Sequence, residues 1–269
     1  MSLSGDANQG SQKTIKNPFQ LSGIGIHSGE NCTIIFNPAG LDCGIYFIYK
    51  NEKIPALASL VADTSRGTSL KNIHVVEHVL AAAAGLGISN LEIVLSHPEP
   101  PVLDGSALPY FIKLKEAVIL AQDKEIKTIT ISSAIKLNDG EASLEIRPYN
   151  SFKINFMIYF PYIGEQNFVY DGNFESAIAP ARTFGLLEEL EMLKKRGLAK
   201  GASFDNSLAI GPSGYLNAPR FSNEPVRHKI LDLIGDLSLT GAQIRGEVFA
   251  VKSGHKLNVE LARRLIELC

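Results

Sequence analysis

The chain has 269 residues, 45% of them hydrophobic, enough for one large domain or two moderate ones with cores of their own. Its 26 basic and 28 acidic side chains leave a net charge of −2 and are mixed along the chain, so neither a nucleic-acid partner nor a disordered charged arm is expected. No window reaches the ~18 apolar residues of a membrane span, and the polar start MSLSGDANQGSQK lacks the apolar core of a signal peptide. Cys32, Cys43 and Cys269 show no metal spacing and suit free thiols in a reducing compartment. A soluble cytoplasmic protein is expected, with residues 1–12 as a flexible leader.

In chain order, NCTIIFNP and GIYFIYK are rich in β-branched and aromatic residues and predict strands. A helix is predicted from about His74 to Ala84, stopped by GLG. NLEIVLS predicts a buried strand, HPEPPVLDGS a proline-stiffened loop and ALPYFIKLKEAVILAQ an amphipathic helix, after which the polar QDKEIK reads as a linker. Beyond it TITISSAIKL, ASLEIRP and FKINFMIYF predict strands, and LLEELEMLKKRG a charged helix. A helix over NEPVRHKILDLIGDLSLTG, a strand over GEVFAVKS and a last helix over NVELARRLIEL complete the chain. Two strand-rich halves with two principal helices each predict an α+β fold of two domains, residues 13–124 and 125–269. No sequence repeat relates the halves.

The helix NEPVRHKILDLIGDLSLTG carries apolar residues at helical spacing, yet His228, Asp232 and Asp236 also recur every four residues. Residues four apart on a helix have Cβ atoms roughly 5–6 Å apart, so His228 and Asp232 can reach one metal ion. The plain alternative is a local His–Asp hydrogen bond with Asp236 in solvent. The apolar flanks argue against it, because a buried carboxylate is costly unless it is paired or coordinates a metal. A third ligand is offered by His78 in HVVEHVLAAAAG. Its neighbour Glu77 points about 100° away on a helix and could address a water on an ion held by His78, the relation of general base to ligand in metal-assisted hydrolysis. Two histidines, one carboxylate and an open fourth position are a set that catalytic zinc favours.

The same segment offers a rival: His74, Glu77 and His78 spell H-x-x-E-H, a zinc-peptidase signature in which His74 and His78 are the ligands. His255, in KSGHKLN, lies in a strand-to-helix turn where functional side chains are often displayed, and Asp236 could hold it protonated. The glycines of SGIGIHSGE could approach a phosphate closely, although the P-loop lysine is missing. Arg182, Thr183 and Phe184 in ARTFG are uninformative alone, and His97 reads as a loop decoration.

As a set, SGIGIHSGE, VEHVLAAAAGLGISN, PVLDGSALPYF, PARTFG, FDNSLAI, NEPVRHKILDLIGDLSLTG and KSGHKLN resemble, in order and spacing, the UDP-3-O-acyl-N-acetylglucosamine deacetylases, the zinc amidases of lipid A synthesis. The resemblance runs from about Lys13 to the C-terminus. It implies two domains of similar α/β sandwich topology, each with a small insert, and an active site between them. By resemblance His78, His228 and Asp232 would hold zinc, with iron(II) as the ion a cell could load instead. Glu77 matches the general base, His255 the catalytic histidine, Asp236 its support and Lys229 the lysine beside the zinc histidine. Thr183 and Phe184 would contact the acetyl group and sugar, and Lys252 the substrate. An insert at about residues 185–211 would form part of an acyl-chain passage through Leu190 and Leu193; alternatively these leucines only pack their helix onto its domain. The family pattern does not call for His74. The implied reaction removes acetate from a UDP-linked acylated amino sugar, the committed step of lipid A synthesis, in a monomer. A non-catalytic relative would be expected to have lost one of Glu77, His78, His228, Asp232 or His255, and all are present.

Overall fold

The computed structural model describes residues 10–268; most of the expected leader and Cys269 lie outside the described residues. Two sheets of one plan organise it. The N-terminal sheet is built from Phe19–Ile24, Asn31–Pro38, Ile45–Tyr49 and Glu52–Pro55, followed by helix α1 (Glu77–Gly85), strand Leu91–Leu95 and helix α2 (Leu108–Glu116). Leu91–Leu95 enters the middle of the sheet, antiparallel to Asn31–Pro38 and parallel to Ile45–Tyr49. A parallel neighbour needs a crossover, and α1 supplies it.

The C-terminal half repeats this order with Ile135–Asp139, Ala142–Arg147, Phe152–Phe160 and Gly164–Tyr170. The short α3 (Phe174–Ala177) and the charged α4 (Leu187–Lys195) precede α5 (Glu224–Ser238), strand Gln243–Val251 and α6 (His255–Ile266). Gln243–Val251 enters the sheet between its second and third strands, with the same mixture of antiparallel and parallel neighbours. The expected likeness of the two halves is therefore present in strand order and direction although no sequence repeat announces it. Each half also carries an extra segment at the same point of the plan, just before its crossover helix: residues 58–70 in the first, residues 184–215 in the second.

Helices α1 and α5 lie against each other between the sheets. Val79, Leu80 and the run Ala81–Ala83 are buried all round α1, the composition of a helix with no solvent face. Small side chains let the backbones approach. At Gly235 of α5 an added Cβ would stand 2.2 Å from the carbonyl oxygen of Glu77, so only glycine fits there.

Local geometry revises several expectations. Helix α1 begins at Glu77, not His74, because Val75 takes a left-handed conformation (φ 55°) and the Val76 amide bonds back to the Thr68 carbonyl. The long helix expected after the proline loop ends at Glu116; Val118 is again left-handed (φ 65°), and Ile119–Glu125 is a strand. That strand pairs with Ser11–Ile15, so part of the supposed linker and the last residues of the supposed leader carry ladder hydrogen bonds. TITISSAIKL divides into Thr128–Thr130, which pairs with Gln243–Val251, and Ile135–Asp139 at the sheet edge.

Gly235→Ala is expected to lower the urea midpoint, with a stability loss of about 1–3 kcal/mol from overpacking despite the better helix propensity of alanine. An unchanged midpoint would refute this helix contact.

Candidate active site

The first turn of α1 and the middle of α5 meet, and their polar side chains converge. His228 Nε2 lies 3.3 Å from Asp232 Oδ1, and His78 Nε2 lies 3.8 Å from the same oxygen. The two imidazoles stand edge to face, 5.0 Å apart. One ligand atom from each of His78, His228 and Asp232 lies within 4.8 Å of the others. Asp232 Oδ1 is buried without a hydrogen-bond partner, an expensive arrangement for a carboxylate oxygen unless a cation takes it. The His228 Nδ1–H donates to the Ala181 carbonyl at 3.1 Å, which leaves Nε2 as a lone pair aimed at the gap. Burial, reinforced by the neighbouring His228, pushes His78 down to about 3, and burial also lowers His228 although Asp232 opposes it. Both rings are thus neutral donors. The set fits a divalent metal.

A second group, Glu77, Asp232 and His255, meets the same spacing but suits another purpose. Burial would lower the His255 pKa; the Asp236 and Asp232 carboxylates and the Asp236 hydrogen bond outweigh it and raise it to about 9. A protonated imidazole has no lone pair to offer. His255 opens α6, and its Nδ1–H donates to Asp236 Oδ2 at 2.9 Å. Asn258 donates to the same oxygen and accepts from Ser253. Asp236 Oδ1 accepts from the Thr68 hydroxyl. The His255 Nε2 points into the site, 3.9 Å from Glu77 Oε1. Burial lifts the Glu77 carboxyl to about 7, and its Oε2 accepts from the Thr68 amide at 2.9 Å. Lys229 donates to Asp232 Oδ2 at 2.6 Å. Burial would discharge this lysine, but Asp232 holds its pKa up.

The segment ARTF forms the neighbouring wall. Phe184 stacks edge-on against His228 and Phe160, and Thr183 is pinned by its amide to the Gly105 carbonyl. The anchor of this wall is buried. Arg182 donates through its amide, Nε and Nη2 to Glu224 at the start of α5, fixing the Ala181 carbonyl that orients His228. Of the residues that the resemblance singles out, all but Asp236, which stands behind His255, line one cavity of about 750 Å³. Leu190 and Leu193 are half-buried and line this cavity, and no residue of α4 is fully buried. Lys252 reaches the rim, where it pairs with Glu141.

This geometry separates the alternatives. His74 is outside α1 and hydrogen-bonds Ser69 at 3.1 Å; among the described residues it joins no metal-ligating group, which removes the basis of the H-x-x-E-H reading. The glycine loop SGIGIHSGE is not a free anion cradle either, because the His27 and Ser28 amides donate to the buried Glu99 carboxylate.

A model of the family described as UDP-3-O-acyl N-acetylglycosamine deacetylase (LpxC) matches residues 12–267. A UDP-3-O-acyl-N-acetylglucosamine deacetylase of Syntrophotalea carbinolica is 42% identical over 270 residues, covering 95% of this chain and 87% of the relative. Proteins of the same name from Thermodesulfovibrio yellowstonii and Nostoc sp. are 40% and 39% identical, covering 95% and 96% of this chain and 92% and 99% of theirs. The chain belongs to the LpxC deacetylase family. Within this LpxC site, sequence reasoning missed Thr68, Asn258 and Glu224. Glu224 was legible, because it stands four residues before His228 and extends the His228, Asp232, Asp236 period by one turn; Thr68 and Asn258 belong to no periodic stripe.

Glu224→Ala would leave Arg182 buried without its partner and is expected to destabilise by about 3–5 kcal/mol. Glu116→Ala, which removes the exposed Lys113–Glu116 pair, should cost no more than about 1 kcal/mol. Chemical denaturation of both variants checks the contrast; equal effects would contradict it.

Proposed function

We propose that this protein hydrolyses the acetamide of a UDP-3-O-acyl-N-acetylglucosamine to acetate and the free amine, as a zinc-dependent, cytoplasmic, monomeric enzyme of lipid A synthesis. The observation that carries the reading is the orphaned Asp232 Oδ1 between two neutral imidazoles, with a buried carboxylate and an imidazolium beside them. His78, His228 and Asp232 would hold zinc, with iron(II) as the substitute; the ion when bound acidifies a water and polarises the amide carbonyl.

The rest of the chemistry falls to side chains. Glu77, through the oxygen not engaged by the Thr68 amide, takes the proton of the attacking water. The water oxygen bonds to the amide carbon, and the carbon–nitrogen bond then breaks. His255 gives its Nε2 proton to the departing nitrogen, and Asp236 at Nδ1 keeps the ring charged until then. Thr183 stabilises the oxyanion, Lys229 keeps Asp232 ionised, and Phe184 closes the acetyl end. Lys252 contacts the substrate at the rim. In this reading residues 13–124 and 125–269 act as two domains, and Leu190 and Leu193 of the insert at about residues 185–211 line the acyl-chain passage.

His228→Ala is expected to lose stoichiometric metal, whereas His74→Ala keeps it; metal analysis of both separates this ligand set from the peptidase one. His255→Ala should retain metal and lose about 10²–10⁴ in rate, the range of a positioned acid. Loss of metal from that variant would mean that His255 is a ligand.

Activity requires Glu77 ionised and His255 protonated, so it should rise through the Glu77 pKa and fall through that of His255, raised to about 9. The field of a bound cation lowers the first limb. Because Asp236 stabilises the charged ring, Asp236→Asn should move the upper limb to lower pH. A pH–rate profile unchanged in that variant would remove Asp236 from the mechanism.

Leu193→Phe should slow hydrolysis of long-chain substrates more than short ones. One methylene in an apolar pocket is worth roughly 1–3 kcal/mol, so the discrimination should reach about tenfold. Equal loss at every chain length would make the leucine structural only.

A further inference from the structure

We propose that Thr68 is a positioning residue that couples the general base to the general acid, an inference that rests on the deacetylase reading above. Thr68 is fully buried and comes from the extra segment of the N-terminal half, whereas Asp236 and His255 belong to the C-terminal half. Its contacts reach three ionisable groups. The amide donates to Glu77 Oε2 at 2.9 Å, the hydroxyl donates to Asp236 Oδ1, and the hydroxyl oxygen lies 3.3 Å from His255 Nδ1.

Proton bookkeeping fixes the direction of each contact. An ionised carboxylate only accepts, so the single hydroxyl proton of Thr68 goes to Asp236. The Nδ1–H of His255 is then shared, mainly with Asp236 Oδ2 at 2.9 Å and more weakly with the Thr68 oxygen. By occupying Oδ1, the hydroxyl sets the rotation of the Asp236 carboxylate and leaves Oδ2 to the imidazole and Asn258. The Nδ1 proton is thereby committed to the protein interior, and Nε2 is the nitrogen turned to the substrate. At the other end the Thr68 amide holds Glu77 Oε2, so that Oε1 is the proton-accepting oxygen. One residue thus assigns which oxygen of the base and which nitrogen of the acid face the reaction.

The backbone around Thr68 is built for this position. The Val76 amide donates to the Thr68 carbonyl at 3.1 Å, tying the residue to the entry of α1. The preceding Gly67 has φ +144°, and an added Cβ would lie 2.9 Å from Glu77 Oε1. Glycine therefore lets the chain cross the base closely enough for the next amide to bond it.

The test uses two variants of the full-length, metal-loaded protein. Thr68→Val keeps the shape and the amide but removes the hydroxyl; Thr68→Ser keeps the hydroxyl. The expected result for Thr68→Val is a kcat about 10–100-fold lower, the usual effect of losing a group that orients an active side chain, with KM within about twofold and metal content unchanged. Thr68→Ser should restore kcat to within about fivefold. In a His255→Ala background, Thr68→Val should have almost no further effect, because residues acting as a unit are not additive. A readout independent of substrate is the downfield proton resonance of His255 Nδ1–H, which should shift in Thr68→Val and remain in Thr68→Ser. Wild-type kcat in Thr68→Val, a fully additive loss with His255→Ala, or an unmoved resonance would overturn the coupling role. Absence of acetate release by the wild-type protein would instead overturn the function on which it rests.

Discussion

The contact between the first turn of α1 and Gly235 of α5 is the constraint on which the site depends. A Cβ at Gly235 would meet the Glu77 carbonyl at 2.2 Å, so the two backbones touch where the Glu77 and His78 side chains leave α1. Each sheet needs a crossover helix to bring a parallel strand into its centre. Those two crossover helices bury each other, and their apolar residues join both halves into one hydrophobic core. The chemistry is placed where the plan of the fold brings its two central helices closest.

That placement explains why so much charge survives in an apolar interior. Removing ionisable groups from water is costly unless each has a partner. Asp232 has Lys229, Asp236 has His255 with Thr68 and Asn258, and Glu77 has the Thr68 amide. Glu224 has Arg182. One oxygen is left over, Asp232 Oδ1, and it faces two imidazoles made neutral by their burial. The local demand is for a cation, and the same burial that creates the demand keeps the imidazole lone pairs free to meet it.

Much of this was legible in the sequence, and the legible part has a common character. His228, Asp232 and Asp236 follow the helical period of an apolar segment, so their shared face could be read without any tertiary information. Glu77 and His78 could be read as a candidate base and a candidate ligand from their adjacency on one helix. What could not be read depends on backbone conformations that no propensity announces. Val75 and Val118 are β-branched residues in the left-handed region, where such residues are rare, and they decide where α1 starts and where α2 gives way to a strand. The pairing of Ser11–Ile15 with Ile119–Glu125 joins segments more than a hundred residues apart in sequence, and a polar strand at such a distance reads locally as a linker. Thr68 and Asn258 are silent for a related reason: their role is defined by groups brought to them from elsewhere in the chain.

The repeat of strand order in the two halves gives the asymmetry of the site its meaning. Both halves contribute a crossover helix, and both carry an extra segment at the same point of the plan. The ionisable load is nevertheless unequal: α1 offers one carboxylate and one imidazole from its first turn, while α5 offers an imidazole, a lysine, an arginine and three carboxylates along its length. The extra segments differ in the same way. Residues 58–70 include Thr68, whose amide holds the Glu77 carboxylate, a polar and internal task. Residues 184–215 present Phe184, Leu190 and Leu193 to the cavity, an apolar task. The two segments meet across the cavity mouth, where Arg66 pairs with Glu189. Two halves of one plan thus differ in chemistry: the N-terminal half brings Glu77 and the Thr68 amide that holds it, and the C-terminal half brings His255, Asp236 and the apolar wall. Neither half alone holds both His78 and His228, so the group they form with Asp232 is assembled only when α1 and α5 are packed, and a cation that bound it would stabilise the assembled fold by mass action.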